Sequence, residues 1–225
     1  PRIARLTGTE FAMVEDSAAT AQGVFTLAMW LKPAAVLLPG DAPQGIIQRR
    51  NNDGDCNYRL VLLPNNQVEF SYDMNFIGRT VRVTNPQPLP TDEWSFVVAR
   101  LDGDMATGVF DLQVFIRENR VYKRYDKSSP LRYGPPAVDI NGDLTVGFTE
   151  GFPALDPRSP LRTAVVPARF AGDLDEIAMW NRLLPIEEIV GSDTITGILD
   201  TPPAPRRLYE TADGVDQDND GAVDD

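Results

Sequence analysis

Apolar and polar side chains alternate through the run FTLAMWLK, which places Phe25, Leu27, Met29 and Leu31 on one face and Thr26, Ala28, Trp30 and Lys32 on the other. A period of two belongs to an extended strand, because successive Cβ atoms of a pleated chain point to opposite sides. The pattern recurs in NYRLVLL and QVEFSY, separated by the turn-forming trio Pro64-Asn65-Asn66, and in LQVFIR and RVYKR, separated by Glu118-Asn119. Each pair predicts a hairpin. EWSFVVARL, which runs into a turn at Asp102-Gly103, and DLTVGF supply further strands.

Helical periodicity is almost absent, so the strands predict an all-β chain of two packed antiparallel sheets. The 42% hydrophobic and 24% charged content of the 225 residues is enough for one large core over residues 1–198. Residues 75–92 and 150–167 read as long loops, the second carrying prolines at 153, 157, 160 and 167. TPPAPRR then marks residues 199–212 as an extended linker, and residues 213–225 hold no large side chain that could build a core.

Charge and residue absences narrow the chemistry. The net charge is −12, but seven of the 33 acidic residues and none of the 21 basic ones fall from Glu210 onward, so the rest carries only −5. Without clustered Lys and Arg, nucleic acid is not an expected partner. No apolar run approaches the roughly 18 residues that would span a bilayer. The chain has no histidine, which removes His-based triads and the commonest zinc ligand, and its single cysteine, Cys56, excludes an intrachain disulfide. It opens on Pro1 without a signal-like segment, which gives the expectation of a processed form or a piece of a longer parent chain.

Residues 170–189, FAGDLDEIAMWNRLLPIEEI, read as a glycine-led edge at Gly172, a strand over residues 174–180, a turn at Asn181-Arg182 and a helical turn opened by Pro185. LTGTEFAMVEDS, FTLAMWLKP, DEWSFVVARLDG and this segment stand in one order. Together they resemble the laminin-G-like, concanavalin-A-like jelly-roll domains, in the branch found in many secreted bacterial proteins and related to pentraxins. The resemblance covers residues 3–190. It implies a two-sheet antiparallel jelly-roll sandwich with its terminal strands side by side and one short C-terminal helical turn. The family often has histidine where Phe96 stands and serine where Pro185 stands; phenylalanine packs in a core and proline opens a helix, so neither departure threatens the fold.

The family resemblance also implies a function: a non-catalytic module of a secreted or cell-surface protein, recognising a glycan or extracellular protein through its loop rim. A structural spacer or assembly domain is the alternative. The glucanases of this fold carry a strand motif of glutamate, any residue, aspartate, two residues, glutamate; no such segment exists here, so no catalytic residue is assigned. Trp30, Trp94 and Trp180 fall within strand blocks and read as core. Phe76, Tyr125, Tyr133 and Phe152 fall in expected loops and are the candidate ligand platforms.

Calcium is the expected cofactor. Asp216, Asp218 and Asp220 alternate, Gly221 follows, and Asp224 stands at the ninth position, the spacing of an oxygen-ligand loop wrapped around that ion. Without flanking helices the segment resembles a thrombospondin type 3 repeat whose twelfth position falls beyond Asp225. Jelly-rolls of this kind often hold a structural calcium through an aspartate of the last strand, which Asp175 matches; backbone carbonyls and a carboxylate near the N-terminal strand, for which Asp16 is the candidate, would complete it. Asp175 pairing with an arginine or capping a turn is the other reading. Asp53-Gly54-Asp55 suits either a rim site or an ordinary hairpin tip.

Overall fold

The computed structural model describes residues 4–17, 20, 23–50, 56–74, 80–103, 108–119, 121–129, 136, 142–149 and 168–190. In chain order the strands are β1 (Ala4–Thr7), β2 (Ala12–Val14), β3 (Val24–Pro33), β4 (Gln44–Arg50), β5 (Cys56–Leu62), β6 (Val68–Asp73), β7 (Thr80–Thr84), β8 (Ser95–Asp102), β9 (Phe110–Glu118), β10 (Val121–Ser128), β11 (Leu144–Val146), β12 (Phe148–Thr149), β13 (Ala168–Arg169) and β14 (Ala171–Trp180), followed by helix α1 (Ile186–Val190). They form two six-stranded antiparallel sheets, ordered β1-β14-β3-β8-β9-β10 and β2-β11-β4-β5-β6-β7, with β12 and β13 as a small third pair. β1 lies against β14, so the two ends of the sandwich are neighbours as expected.

The alternation in β3 divides two cores. Phe25, Leu27, Met29 and Leu31 face the second sheet, where they join Tyr58, Leu60, Phe70 and Tyr72 in the main cluster. Aromatic pairs such as Phe25–Tyr58, with ring centroids 4.9 Å apart, fill the space between the sheets. Ala28 and Trp30 face the other way, into a smaller cluster with Phe96, Val98, Phe115, Leu184 and Ile189. All three tryptophans belong to this outer cluster: Trp30 is buried, and Trp94 and Trp180 pack partly buried against it. Phe96, standing where the family often has histidine, is fully buried there.

The helical turn exists to cover that outer face. The Thr26 hydroxyl donates to Arg182 O and accepts from Leu184 N, both at 2.9 Å. Arg100, held by the Asp111 carboxylate, donates from Nη1 to Leu184 O at 3.0 Å. These bonds turn the chain after β14 back across the sheet, and Leu184 and Ile189 then bury their side chains on it, a gain of about 1.5–3 kcal/mol each.

Three elements differ from the sequence expectation. β7 lies inside the expected loop 75–92, where TVRVT alternates and buries Val81 and Val83. DLTVGF is broken at Gly147, whose φ of +79° bends the chain between β11 and β12. β4 was not foreseen because a bulge between Gly45 and Ile47 puts Ile46 and Ile47 both in the core and breaks the alternation.

Candidate functional site

The two sheets differ in what their outer faces carry. The outer face of the first sheet is centred on an aromatic and apolar cluster, partly covered by Leu184 and Ile189. On the second sheet, Leu60, Phe70 and Val83 point into the core, so Arg59, Ser71 and Arg82 point out. Cross-strand register lines up one row over all six strands: Met13–Thr145–Gln48–Arg59–Ser71–Arg82. At about 4.8 Å per strand the row is about 24 Å long. Beside it run Gly45–Val61–Glu69–Thr84 and, at the other flank, Asp73–Thr80.

Gln48, Arg59 and Ser71 form a buried floor; Thr145 and Arg82 are half-buried, and Met13 is exposed. Arg59 Nε donates to Ser71 Oγ at 3.3 Å, and Thr84 Oγ1 donates to Glu69 Oε2 at 3.3 Å. Asp73 is a structural tie: Oδ2 accepts from Cys56 N at 2.8 Å and Oδ1 accepts from Thr80 Oγ1 at 2.6 Å. Cys56 is buried beside it, and burial pushes its thiol up to about 11, well away from a reactive thiolate.

Burial raises the Glu69 carboxyl above its ordinary value, against the opposing pull of Arg82, Arg59 and the Thr84 hydroxyl. A carboxyl raised on folding binds its proton more tightly in the native state. Its stabilising contribution is therefore full below the unfolded value, near 4.5, and is lost as pH rises through the folded value. Glu69→Gln is expected to melt a few degrees above the parent at neutral pH, with the advantage shrinking as pH falls toward 4.5. Thermal melts of both proteins across that window check it; a variant less stable at neutral pH would mean that the arginine attraction outweighs burial.

The residues singled out in the sequence fall in different places. Tyr125, expected in a loop, lies in β10, because YKRYDKS continues the hairpin as an edge strand. It packs against the main core and its hydroxyl donates to Glu118. Asp16 sits at one end of the second sheet, with Oδ1 2.8 Å from Nη2 of the buried Arg49. Asp175 shares the outer face of the first sheet with Trp30, its partner in β3, and its Oδ1 accepts from Glu176 N at 2.7 Å. That bond caps a bulge where Glu176 has φ +49°. Asp16 and Asp175 are thus on different sheets, each with an oxygen committed. Among the described residues no three His, Cys, Asp or Glu side chains gather as a cation cage. Phe76, Tyr133, Phe152, the Asp53-Gly54-Asp55 loop and Asp216, Asp218, Asp220 and Asp224 lie outside the described residues.

The row of the second sheet was missed by sequence reasoning although its signal was present. Asn57 and Arg59 alternate with apolar residues in NYRLVLL, as Glu69, Ser71 and Asp73 do in VEFSYD. Period two showed which residues leave the core; only register showed that they align.

The fold is that of a two-sheet jelly-roll sandwich. Residues 6–115 match the laminin G family model described as the concanavalin A-like lectin/glucanases superfamily. No curated protein matches the chain in sequence. Among solved structures, the CBM40 of the Ruminococcus gnavus IT-sialidase bound to alpha2,3 sialyllactose is similar at TM-score 0.56 and 14% identity, over 84% of this chain and 94% of that one. The LG1-3 region of the laminin alpha2 chain is similar at TM-score 0.55 and 14% identity, over 90% of this chain. The enzymatically active domain of tailspike protein 2 from bacteriophage CBA120 reaches 0.53 at 11% identity, over 88% of this chain. The chain spans 33% of the laminin chain and 28% of the tailspike chain. At these identities the likeness is one of fold.

Proposed function

We propose that the chain is a non-catalytic binding module of a secreted or cell-surface protein, taking a glycan along the polar face of the second sheet. The observation that carries this reading is the register-aligned row from Met13 to Arg82, on a sheet whose other face packs against the main core. A polar floor costs desolvation that an ordinary outward face would not incur, and the guanidinium and hydroxyl groups at its accessible end suit the hydroxyls of a saccharide. The half-buried β7 end, with Arg82 and Thr84, is the accessible part. Phe76, Tyr133 and Phe152 are assigned to the rim on sequence grounds.

Binding is favoured over hydrolysis by spacing. Glu69 and Asp73 share a strand face four residues apart, about 13 Å along β6, whereas glycosidase carboxylates stand about 5–9.5 Å apart. Asp73 also has both oxygens bonded within the sheet.

A glycan array tests the reading. Arg82→Ala is expected to weaken the best neutral glycan about tenfold or more without lowering the melting temperature. An array with no glycan bound, or binding indifferent to Arg82→Ala, would sink it. A spacer or assembly role is the second reading. Phe11, Met13 and Val14, exposed at and beside edge strand β2, favour it, and concentration-dependent self-association would support it.

Calcium belongs to the proposal through the tail. Asp216, Asp218, Asp220 and Asp224 would supply hard oxygen ligands, and the ion would stiffen the segment after the linker. A chain extended past Asp225 is expected to gain stability with added calcium, about 2.7 kcal/mol at a hundredfold excess over Kd if the repeat folds with the domain. No change in its melting temperature, together with no calcium uptake by calorimetry, would remove the ion from the account.

A further inference from the structure

The first sheet carries a feature that the polar row does not explain. Beyond the area covered by Leu184 and Ile189, its outer face bears a second row. Arg5 pairs with Asp173 across β1 and β14, and Asp173 with Lys32 across β14 and β3. Leu31 pairs with Ser95, so Lys32 and Trp94 are next in the ladder, and the Lys32 ammonium lies 5.4 Å from the Trp94 ring centroid. Arg117 pairs with Tyr122 across β9 and β10, on the face shared with Phe115. The stripe therefore reads Arg5–Asp173–Lys32–Trp94–Arg117–Tyr122.

Its charges are arranged rather than scattered. Asp173 is buried and holds Arg5 at 3.1 Å and Lys32 at 2.6 Å, which fixes both cations while leaving Arg5 exposed and Lys32 half-buried. Arg117 is exposed and has no ion-pair partner among the described residues. The exposed Glu93 is the acidic neighbour near Tyr122. Three cations thus accompany one tied carboxylate and one marginal one, on a chain whose net charge is −12. Trp94 and Tyr122 are half-buried.

We infer that this stripe is a second binding site, for an anionic saccharide whose carboxylates or sulfates meet Arg5, Lys32 and Arg117 and whose sugar faces stack on Trp94 and Tyr122. Guanidinium groups bind such oxyanions with paired, charge-assisted hydrogen bonds. Aromatic rings recognise the apolar face of a sugar through the same contacts they make in a core. Charge interleaved with rings also suits a single-stranded nucleic acid, which the net charge of −12 disfavours. The site is independent of the polar face, since it lies on the other sheet and faces the opposite way.

The test measures binding of short oligogalacturonates and chondroitin sulfate oligosaccharides, with methyl-esterified oligogalacturonate as the uncharged counterpart. At least one anionic probe is expected to bind, weakening steeply with salt. Trp94→Ala and the pair Arg5→Glu, Arg117→Glu are each expected to weaken it about tenfold or more. Arg82→Ala is expected to leave it unchanged, so failure here and failure of the polar-face reading are separable. Arg117→Lys, on the exposed edge, keeps the charge and is expected to retain most of the affinity, which guards against misfolding as the cause. No binding of either anionic probe overturns the assignment. So does binding indifferent to Trp94→Ala, equal binding of the methyl ester, or equal binding of a single-stranded DNA of matched charge.

Discussion

Gly172→Ala costs the domain about 3–5 kcal/mol, the sum expected for forced close contact and a disfavoured backbone. Gly172 lies in β14 with φ +153°, and a Cβ there would stand 2.3 Å from Lys32 O and 2.7 and 2.9 Å from the Phe170 ring. The carbonyl belongs to β3, whose two neighbours in the first sheet are β14 and β8, so it has little room to retreat. Phe170 is fully buried in the main core, so its ring has nowhere to turn either. Gly8→Ala is the useful contrast: φ is +88°, but the nearest atom to its Cβ is 3.8 Å away, so only the backbone term of about 1 kcal/mol applies. Urea unfolding of both variants checks the argument. Equal losses at the two positions would show that the close approach of β14 and β3 does not matter.

Asp16→Ala is the second large effect, about 3 kcal/mol or more, with a melting temperature lower by roughly 6–12 °C for a domain of this size. Arg49 is fully buried, with Nη2 on Asp16 at 2.8 Å and Nε on Thr20 Oγ1 at 3.3 Å; Nη1 has no partner among the described residues. Removing the carboxylate strands a buried guanidinium, and desolvation of that charge is the cost. The reverse substitution differs. Asp16 keeps 29% of its side-chain surface exposed and can be rehydrated, so Arg49→Met, which fills the same space with apolar atoms, is expected to lose much less. Thermal melts of the two single variants measure the asymmetry, and similar losses would mean that Arg49 acts mainly through packing.

These two residues show how far the sequence could be read. Gly172 was legible as the leading edge of the last strand. What it approaches, Lys32 O and Phe170, required β14 to be laid against β3. Asp16 was legible as an acidic residue near the N-terminal strand; its partner Arg49 comes from a strand whose bulge broke the alternation, so the pair was not legible. Tyr125 shows the converse. The strand read as RVYKR left Tyr125 in a loop, yet β10 continues to Ser128, and an exposed edge strand is where charged residues belong, since they discourage pairing with other chains.

Period two alone determined the all-β class, the two hairpins and the division of β3 into a core face and an outer face, because side-chain direction along a strand is a local property of the pleated backbone. The residues after Trp180 likewise announced a return and a helical turn. The functional surfaces were decided by tertiary structure. Whether Gln48, Arg59, Ser71 and Arg82 form one row, or Lys32, Trp94 and Tyr122 another, depends on register between strands far apart in sequence, and a shift of one residue would send each set to the opposite face.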